Sequence, residues 1–166
     1  MAAVPTVYTI GHSDHTIEAF IDLLRQHGIT LVVDVRSQPY SRWAVQFNRE
    51  LLAHNLHEAG LSYEFRGDVL GGRPVDPDLY EPGGEHADYR KMEQIPAYQA
   101  GIDALLALAR QERVAVMCSE GDYHHCHRHL LISQTLLERG ARVVHIQPDG
   151  SVVQGGSIPS QLSLFG

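Results

Sequence analysis

Cysteine, lysine, tryptophan and long apolar runs are what this sequence has least of. Its 166 residues include two cysteines, one tryptophan and one lysine. Two cysteines in one short stretch cannot supply the disulfide framework of a small secreted domain, so Cys118 and Cys126 are interpreted as site residues. No apolar run approaches the roughly 20 residues of a membrane-spanning helix. Residues 1–5 also lack the basic start of a signal peptide. We therefore expect a cytoplasmic protein with no membrane partner.

Positive charge is also in the minority. Asp and Glu number 20 against 13 Lys and Arg, which gives a formal net charge of -7 at pH 7. A domain that grips duplex DNA unaided usually carries a basic face, and the composition indicates none. Nearly all of the basic residues are arginines, whose planar guanidinium groups suit phosphate and carboxylate.

Strand-like and helix-like segments alternate along the chain. Strands are predicted at residues 4–11, 29–35, 61–65, 114–117 and 142–146. Helices are predicted to begin after Thr16 and Asn48 and to span residues 96–110 and 125–139. The alternation predicts an α/β fold, a single-domain three-layer sandwich with a mostly parallel sheet of about five strands and helices on both faces. Residues 1–150 are predicted to form this domain, and residues 151–166 a C-terminal tail.

Residues 66–91 do not fit this alternation. They are rich in Gly, Pro, Asp and His and show no clean period. A loop of this length in a compact domain is typically a lid or a disordered insert.

Polar residues follow the predicted strands. His12 ends the first strand, Asp34 and Arg36 end the second, and Cys118 and Glu120 end the fourth. In open parallel sheets, ligands bind beyond the carboxyl ends of the strands, so we expect these residues to meet in one cleft. A charged residue such as Arg36 at a buried strand end needs a partner, either Asp34 or a ligand anion.

Residues 118–128 combine two thiols, three histidines, two carboxylates and an arginine. Cys126 is predicted to lie near the first turn of a helix, where the helix end and Arg128 would favour its thiolate. The first interpretation is nucleophilic or acid–base chemistry around a bound anion, with Cys118, Cys126, His127 and Glu120. In it, Cys118 and Glu120 would carry or assist the reaction, and His12 or His127 would move protons.

A metal site is the second interpretation of this cluster. Cys118, Cys126 and His127, with a further histidine, would make a set for zinc or another transition metal, although no Cys-x-x-Cys pair is present. The third interpretation is a rhodanese or phosphatase loop, in which an arginine closes a tight anion-binding turn soon after the cysteine. Arg128 lies ten residues after Cys118 and only two after Cys126, so we reject it.

Ser37, Gln46 and Asn48 form a further group of candidate substrate ligands. Gln46 and Asn48 could read the edge of a base, with Phe47 stacked on it. Equally, Asn48 could cap the second helix, with Phe47 as its hydrophobic staple.

Gly72 and Arg73 suggest a turn that approaches a ligand closely. Arg73, together with Arg36 and Arg128, would hold phosphate. Tyr80 and Tyr89 in the same segment could close over a base.

The last residues form a recognisable short peptide, Gln161, Leu162, Ser163, Leu164 and Phe165. This peptide resembles the one by which many bacterial DNA polymerases and repair proteins dock on the sliding clamp. Leu164 and Phe165 would enter an apolar pocket, and Gln161 would set the register. A tether to the clamp would raise the local concentration of an acidic protein near DNA. The alternative is a tail that packs on its own domain.

Several stretches also resemble the family known as domain of unknown function 488. They are residues 8–13 (YTIGHS), 33–37 (VDVRS), 46–48 (QFN), 70–73 (LGGR), 117–120 (MCSE) and 126–128 (CHR). The resemblance implies an α/β fold with a polar pocket formed by these motifs, and it implies no particular reaction. An additional histidine, His15, departs from the family pattern at the pocket mouth.

The sequence thus leads to an enzyme that acts on DNA or a nucleotide and is recruited to the sliding clamp. The rival hypothesis is a non-catalytic module or sensor that binds a metal or haem through the Cys/His cluster. A third is a scaffold that bridges the clamp to another protein.

Overall fold

A six-stranded sheet forms the centre of the molecule. The computed structural model describes residues 4–80, 82 and 87–158. The sheet order is β3-β2-β4-β1-β5-β6, and every pairing is parallel except that of β6 with β5. The strands β1 to β6 span Thr6–Gly11, Leu31–Asp34, Ser62–Phe65, Val114–Cys118, Arg142–Ile146 and Val152–Gln154.

Helices cover both faces of this sheet. The helices α1 to α6 span Ile17–Gln26, Arg49–Glu58, Gly67–Leu70, Tyr89–Glu93, Pro96–Gln111 and Gln134–Glu138. α1 and α2 pack over one apolar core, and α5 and α6 pack over the other. Because both faces are covered, every residue of β2 and β4 is buried, which explains why these strands are continuous apolar runs. The predicted three-layer α/β architecture is confirmed.

Local capping sets the first helix. The Thr16 hydroxyl accepts a hydrogen bond from the backbone N–H of Ala19, 3.1 Å away, as expected for an N-cap. Gly28 follows the helix with φ +69°, a conformation that glycine adopts without strain. The predicted boundaries of this helix are therefore correct to within about two residues.

The sixth strand is a departure from the predicted count of about five. Val152–Gln154 pairs antiparallel with β5, and it lies in the segment assigned to the tail. The strand is short and sits among polar and glycine residues, so it lacks the apolar alternation by which strands are predicted. The division of the chain at residue 150 stays a prediction, although this first part of the tail belongs to the sheet.

The irregular segment of residues 66–91 also contains regular structure. α3, a 3₁₀ turn at Pro77–Leu79 and the start of α4 lie in it. Leu70 and Met92 are buried in the core that α5 covers. The described residues of this segment are therefore not a disordered insert, and the lid alternative stays a prediction. The helices were not predicted, because short helices leave too few turns for a periodic pattern.

The predicted helix at residues 125–139 is divided. A 3₁₀ turn, Tyr123–His125, precedes a π-helix, Arg128–Ser133, which continues directly into α6. Apolar spacing does not distinguish an α-helix from a π-helix over so few residues. π-Helical turns are frequent at functional sites, and this one carries Arg128.

The sheet order determines which strand ends meet. β4 lies between β2 and β1, with Cys118 opposite Gly11 and Met117 opposite Asp34. The backbone N–H groups of His12 and Val35 donate to the carbonyls of Cys118 and Met117, at 2.9 and 3.0 Å. The polar residues that follow these three strands therefore emerge side by side.

None of the helices in the described part of the chain has the length and apolarity that crossing a bilayer requires. The peptide Gln161 to Phe165 lies outside the described residues, so clamp docking stays a prediction.

Candidate functional site

A cleft of about 350 Å³ opens at the carboxyl ends of β2 and β4. Eight of the predicted site residues line it: Arg36, Ser37, Gly72, Arg73, Cys118, Glu120, Cys126 and His127. Five others do not: His12, Asp34, Gln46, Asn48 and Arg128. The topology thus brings together residues from four separate sequence motifs.

The two thiols form the centre of the cleft. The Sγ atoms of Cys118 and Cys126 are hydrogen-bonded at 2.7 Å, and both side chains are buried. Burial, reinforced by this hydrogen bond, raises the pKa of the Cys118 thiol. The same hydrogen bond, with a smaller contribution from His127, lowers the pKa of the Cys126 thiol despite its burial. Of the two thiols, Cys126 is therefore the one whose surroundings favour the thiolate.

A buried arginine lies behind the thiols. Arg128 is fully buried, and its Nη1 donates to Cys118 Sγ at 3.4 Å while Nη2 donates to the Gly121 carbonyl at 3.2 Å. Among the described residues, no carboxylate lies within ion-pairing distance of it. A buried charge is costly unless an opposite charge compensates it. A thiolate on the Cys118–Cys126 pair would supply that charge.

This arrangement changes the expected role of Arg128. The sequence predicted that it would hold substrate phosphate, but its guanidinium lies beneath the thiols and outside the lining of the cleft. Its position suits it to stabilise the thiolate.

His127 is oriented by the backbone of β2's end. Its Nε2 lies 3.0 Å from the Val35 carbonyl oxygen, and its Nδ1 lies 3.7 Å from Cys126 Sγ. A carbonyl oxygen can only accept a hydrogen bond, so Nε2 donates to it and Nδ1 is the ring nitrogen that faces the sulfur. Cys126, His127 and the Val35 carbonyl thus follow one another in the order nucleophile, base and group that orients the base.

Gly72 makes room for this imidazole. A Cβ atom at Gly72 would lie 2.7 Å from Cγ of His127, closer than carbon atoms can approach. The next residue, Arg73, donates its backbone N–H to the Ser37 hydroxyl at 2.9 Å, which ties this turn to the end of β2. The glycine predicted to approach a ligand therefore approaches the histidine.

Arg36 has Asp34 as its partner. Its Nε and Nη2 donate to the two carboxylate oxygens at 2.9 and 2.8 Å, and Nη2 also donates to the Phe47 carbonyl. The Tyr63 hydroxyl donates to the same carboxylate at 2.5 Å. Of the two alternatives that the sequence left open, the structure contains the Asp34 pair. Asp34 is fully buried behind Arg36, so it supports the cleft wall and does not face a ligand.

His12 lies beneath the cleft. Its ring stacks on Phe47 with centroids 4.5 Å apart, and its Nδ1 donates to the Ser13 carbonyl at 2.8 Å. Burial lowers the pKa of His12 from 6.5 to about 4, so the ring is neutral near pH 7. The structure does not bring it to the cleft lining.

Gln46 and Asn48 hold the loop after β2. The Gln46 amide donates to the His15 carbonyl at 2.8 Å, and the Asn48 side-chain oxygen accepts from the Ser41 N–H at 2.7 Å. Asn48 occupies the N-cap position of α2, but its side chain makes no capping hydrogen bond. Phe47 is fully buried against His12 and Phe20. These side chains therefore position the cleft wall, and none of them faces the cleft.

A family model described as Domain of unknown function DUF488 matches residues 16–135, more than two-thirds of the chain. The chain belongs to the DUF488 family. No curated protein and no solved structure matches the chain significantly. The match runs from the N-cap of α1 into α6 and contains every residue that lines the cleft. The family resemblance expected from the motifs is confirmed.

The cleft of this DUF488 protein does not have the geometry of a zinc site. Two thiolates on one tetrahedral zinc, each about 2.3 Å from the metal, lie about 3.8 Å apart, whereas these sulfurs are 2.7 Å apart. The Nε2 atom of His127 is already hydrogen-bonded to the Val35 carbonyl. Within the described residues, no group of three or more His, Cys, Asp or Glu side chains is arranged to hold a metal ion. The Cys118, Cys126 and His127 set therefore does not fit the metal interpretation.

Sequence reasoning missed Gln38 and Tyr40 of the DUF488 cleft and named Ser119 only as part of the motif at residues 117–120. Each of these three follows the end of β2 or β4 within a few residues, so the rule for parallel strand ends would have found them. His125, one of the histidines of residues 118–128, also lines the cleft. Tyr89, which was expected to close over a base, does line the cleft, whereas Tyr80 does not.

A larger depression of about 740 Å³ lies at the opposite edge of the sheet, around Tyr8 and Arg113. The Arg113 guanidinium lies 4.8 Å from the centroid of the Tyr8 ring and donates to the His27 carbonyl. The guanidinium of Arg113 is therefore already in contact with other groups of the chain, and no cysteine lines the depression. The smaller cleft is therefore the better candidate site.

Proposed function

We propose that this DUF488 protein is a thiol-dependent enzyme that acts on DNA or a nucleotide and is recruited by its tail to the sliding clamp. The observation that supports catalysis is the alignment of Cys126, His127 and the Val35 carbonyl in a cleft backed by Arg128. The nucleic-acid part rests on the terminal peptide.

Cys126 is the nucleophile in this proposal. Its thiolate attacks the substrate and forms a covalent bond, the bond to the leaving group breaks, and the leaving group takes a proton. A water molecule, deprotonated by His127, then releases the product and restores the thiolate. Cys118 keeps its proton in this proposal because burial raises its pKa, and Arg128 stabilises the negative charge of the pair.

Arg73 and Glu120 complete the cleft. Both are exposed and line it, and among the described residues Arg73 has no ion-pair partner. Arg73 is therefore the cation that would meet a substrate phosphate. Glu120, at the mouth, would exchange protons with the leaving group or with water.

The dimensions favour a small substrate. A cleft of about 350 Å³ lies at the lower end of the range of small-molecule sites, about 300–1,000 Å³. It admits one nucleotide or one flipped-out base and excludes a stacked duplex. The net charge of -7 also opposes unaided duplex binding.

The catalytic part is tested by incubating the purified chain with damaged oligonucleotides and free nucleotides and following product and covalent adduct by mass spectrometry. We expect turnover by the wild type and by Arg90→Ala, an exposed control. Cys126→Ala and His127→Ala should lose at least about 100-fold of the activity, with unchanged circular dichroism. Full activity in Cys126→Ala would refute the proposal.

The clamp part is tested separately by capture on an immobilised bacterial sliding clamp. The double variant Leu164→Ala/Phe165→Ala should lose binding, whereas Ser157→Ala should bind as the wild type does. Equal capture of the double variant and the wild type would rule out docking by the tail and would leave the catalytic proposal intact.

A further inference from the structure

Two thiols in contact can do more than supply one nucleophile. The Sγ atoms of Cys118 and Cys126 lie 2.7 Å apart, both cysteines are free, and both line the cleft. We infer that the pair is a site of reversible oxidation, at which a peroxide forms a Cys118–Cys126 disulfide. Disulfide formation stands independently of the proposed function; its effect as an off-switch rests on that function.

The backbone already places the two cysteines for a bridge. Cys118 is the last residue of β4, and Cys126 directly follows the 3₁₀ turn Tyr123–His125. The sulfurs of a disulfide lie about 2.05 Å apart, so these two need to approach by less than about 1 Å.

The surroundings distinguish an attacking thiol from a resolving thiol. His127 Nδ1 lies 3.7 Å from Cys126 Sγ, and the buried Arg128 lies 3.4 Å from Cys118 Sγ and stabilises negative charge on the pair. Oxidation-sensitive cysteines are typically thiolates in an accessible pocket with a second cysteine beside them. Cys126 matches the first role and Cys118 the second.

The reaction balances with hydrogen peroxide as the oxidant. The Cys126 thiolate attacks one peroxide oxygen, the S–O bond forms, the O–O bond breaks, and the departing hydroxide takes a proton to become water. Cys118 then attacks the sulfur of the resulting sulfenic acid. The S–S bond forms and the second hydroxide leaves with the Cys118 proton as water. The pair loses two electrons and the one proton of Cys118, solvent supplies the proton taken up by the first hydroxide, and a dithiol reductant reverses the change by becoming a disulfide itself.

Oxidation would remove both properties on which the proposed catalysis depends. The disulfide contains no thiolate that could act as a nucleophile. It also carries no negative charge to compensate the buried Arg128. An enzyme of this kind would stop in oxidising conditions and resume when reduced.

The test is intact-mass analysis of the full chain under non-reducing conditions after a titration with hydrogen peroxide. We expect the wild type to become lighter by two hydrogen atoms, to lose both alkylation sites, and to recover both with dithiothreitol. Cys118→Ser should stop at a sulfenic acid, one oxygen heavier and trapped by dimedone. Cys126→Ser should react at least about tenfold more slowly. Arg90→Ala, at an exposed residue that does not line the cleft, should oxidise as the wild type does.

Accumulation of sulfenic or sulfinic acid in the wild type without the loss of two hydrogens would overturn the inference, and so would a disulfide that links two chains. Peptide mapping of the wild type decides this even if a variant misfolds. A bridge that forms without lowering turnover would refute the off-switch alone. Absence of turnover in the reduced protein would refute the proposed function and leave the disulfide standing.

Discussion

At the scale of single residues, the contact between Arg128 and the thiols determines the chemistry of the cleft. A fully buried guanidinium faces Cys118 Sγ at 3.4 Å, and among the described residues its anionic neighbour is the thiol pair. The thiolate and the arginine therefore stabilise each other. The ionisation of Cys126 should depend on a residue that lines neither the cleft nor its mouth.

Arg128→Met should raise the pKa of the thiol pair, because the guanidinium that contacts Cys118 Sγ is gone. The rate of iodoacetamide alkylation, measured against pH, should have its midpoint at a higher pH than in the wild type. The free energy of unfolding should fall by about 3–5 kcal/mol at neutral pH, as when one partner of a buried pair is removed. Arg128→Lys should restore part of the alkylation shift. An unchanged midpoint in Arg128→Met would show that the guanidinium does not stabilise the thiolate.

Two buried histidines predict how stability depends on pH. Burial lowers the pKa of His12 from 6.5 to about 4 and that of His145 from 6.5 to about 3. Below pH 6.5 these two histidines bind protons in the unfolded chain but not in the folded chain. The free energy of unfolding therefore falls as the pH falls towards 4. For His12 the loss approaches about 1.4 kcal/mol per pH unit.

Urea unfolding at pH 7, 6 and 5 measures this dependence. His12→Phe should flatten the acid side of the curve, whereas His54→Gln, a change at an exposed histidine, should leave it as in the wild type. Stability that stays constant from pH 7 to 5 in the wild type would contradict the burial argument.

At the scale of elements, short turns between the strands and helices shape the cleft. The turn after α3 brings Gly72 against the His127 ring, and Ser37 at the end of β2 ties the same turn through the Arg73 N–H. The π-helix Arg128–Ser133 begins at the residue after His127. These contacts join segments that are far apart in the chain, and they orient one imidazole.

Gly72→Ala tests that orientation. The added methyl would lie 2.7 Å from His127 Cγ, so the ring must tilt away from Cys126 and Val35. We expect a loss of about 1–3 kcal/mol of stability and slower alkylation of Cys126 near neutral pH. Gly156→Ala, where an added Cβ meets no described residue within 4 Å, is the matched control and should be neutral. Wild-type behaviour of Gly72→Ala would mean that the ring position is not constrained by this turn.

At the scale of the whole molecule, an acidic chain presents its one tryptophan to solvent. Trp43 is 90% exposed, and it lies with the exposed Arg42 in the loop whose Tyr40 lines the cleft. An aromatic face beside a cation is a surface on which unpaired bases stack. Because the overall charge opposes duplex binding, the proposed function predicts a preference for single strands.

The intrinsic fluorescence of Trp43 reports directly on this prediction. Titration with a short single-stranded oligonucleotide should quench the emission, and the quenching should weaken as salt rises. By fluorescence anisotropy of a labelled oligonucleotide, Trp43→Ala should lose about 1–3 kcal/mol of binding free energy. Val45→Ala, which removes another exposed apolar side chain of the loop, should bind normally. Tighter binding to duplex than to single strands would contradict the prediction.

Much of the architecture could be predicted from local pattern. Continuous apolar runs marked β2 and β4, Thr16 marked the start of α1, and the residues after the strands indicated the edge where the cleft lies. β6 could not be predicted, because a three-residue edge strand depends on its partner β5 and not on its own pattern.

The sequence by itself determined the order of strands and helices, the family, and the edge of the sheet at which reactive side chains emerge, because apolar periodicity and strand direction are local properties. Only the tertiary structure decided which polar group each side chain meets. Val35 orients His127 from 92 positions away in sequence, Arg128 turns inward to the thiols, and Asp34 takes up Arg36. Burial makes an unpaired polar group costly, so these pairings follow from packing between distant segments, which no local pattern encodes.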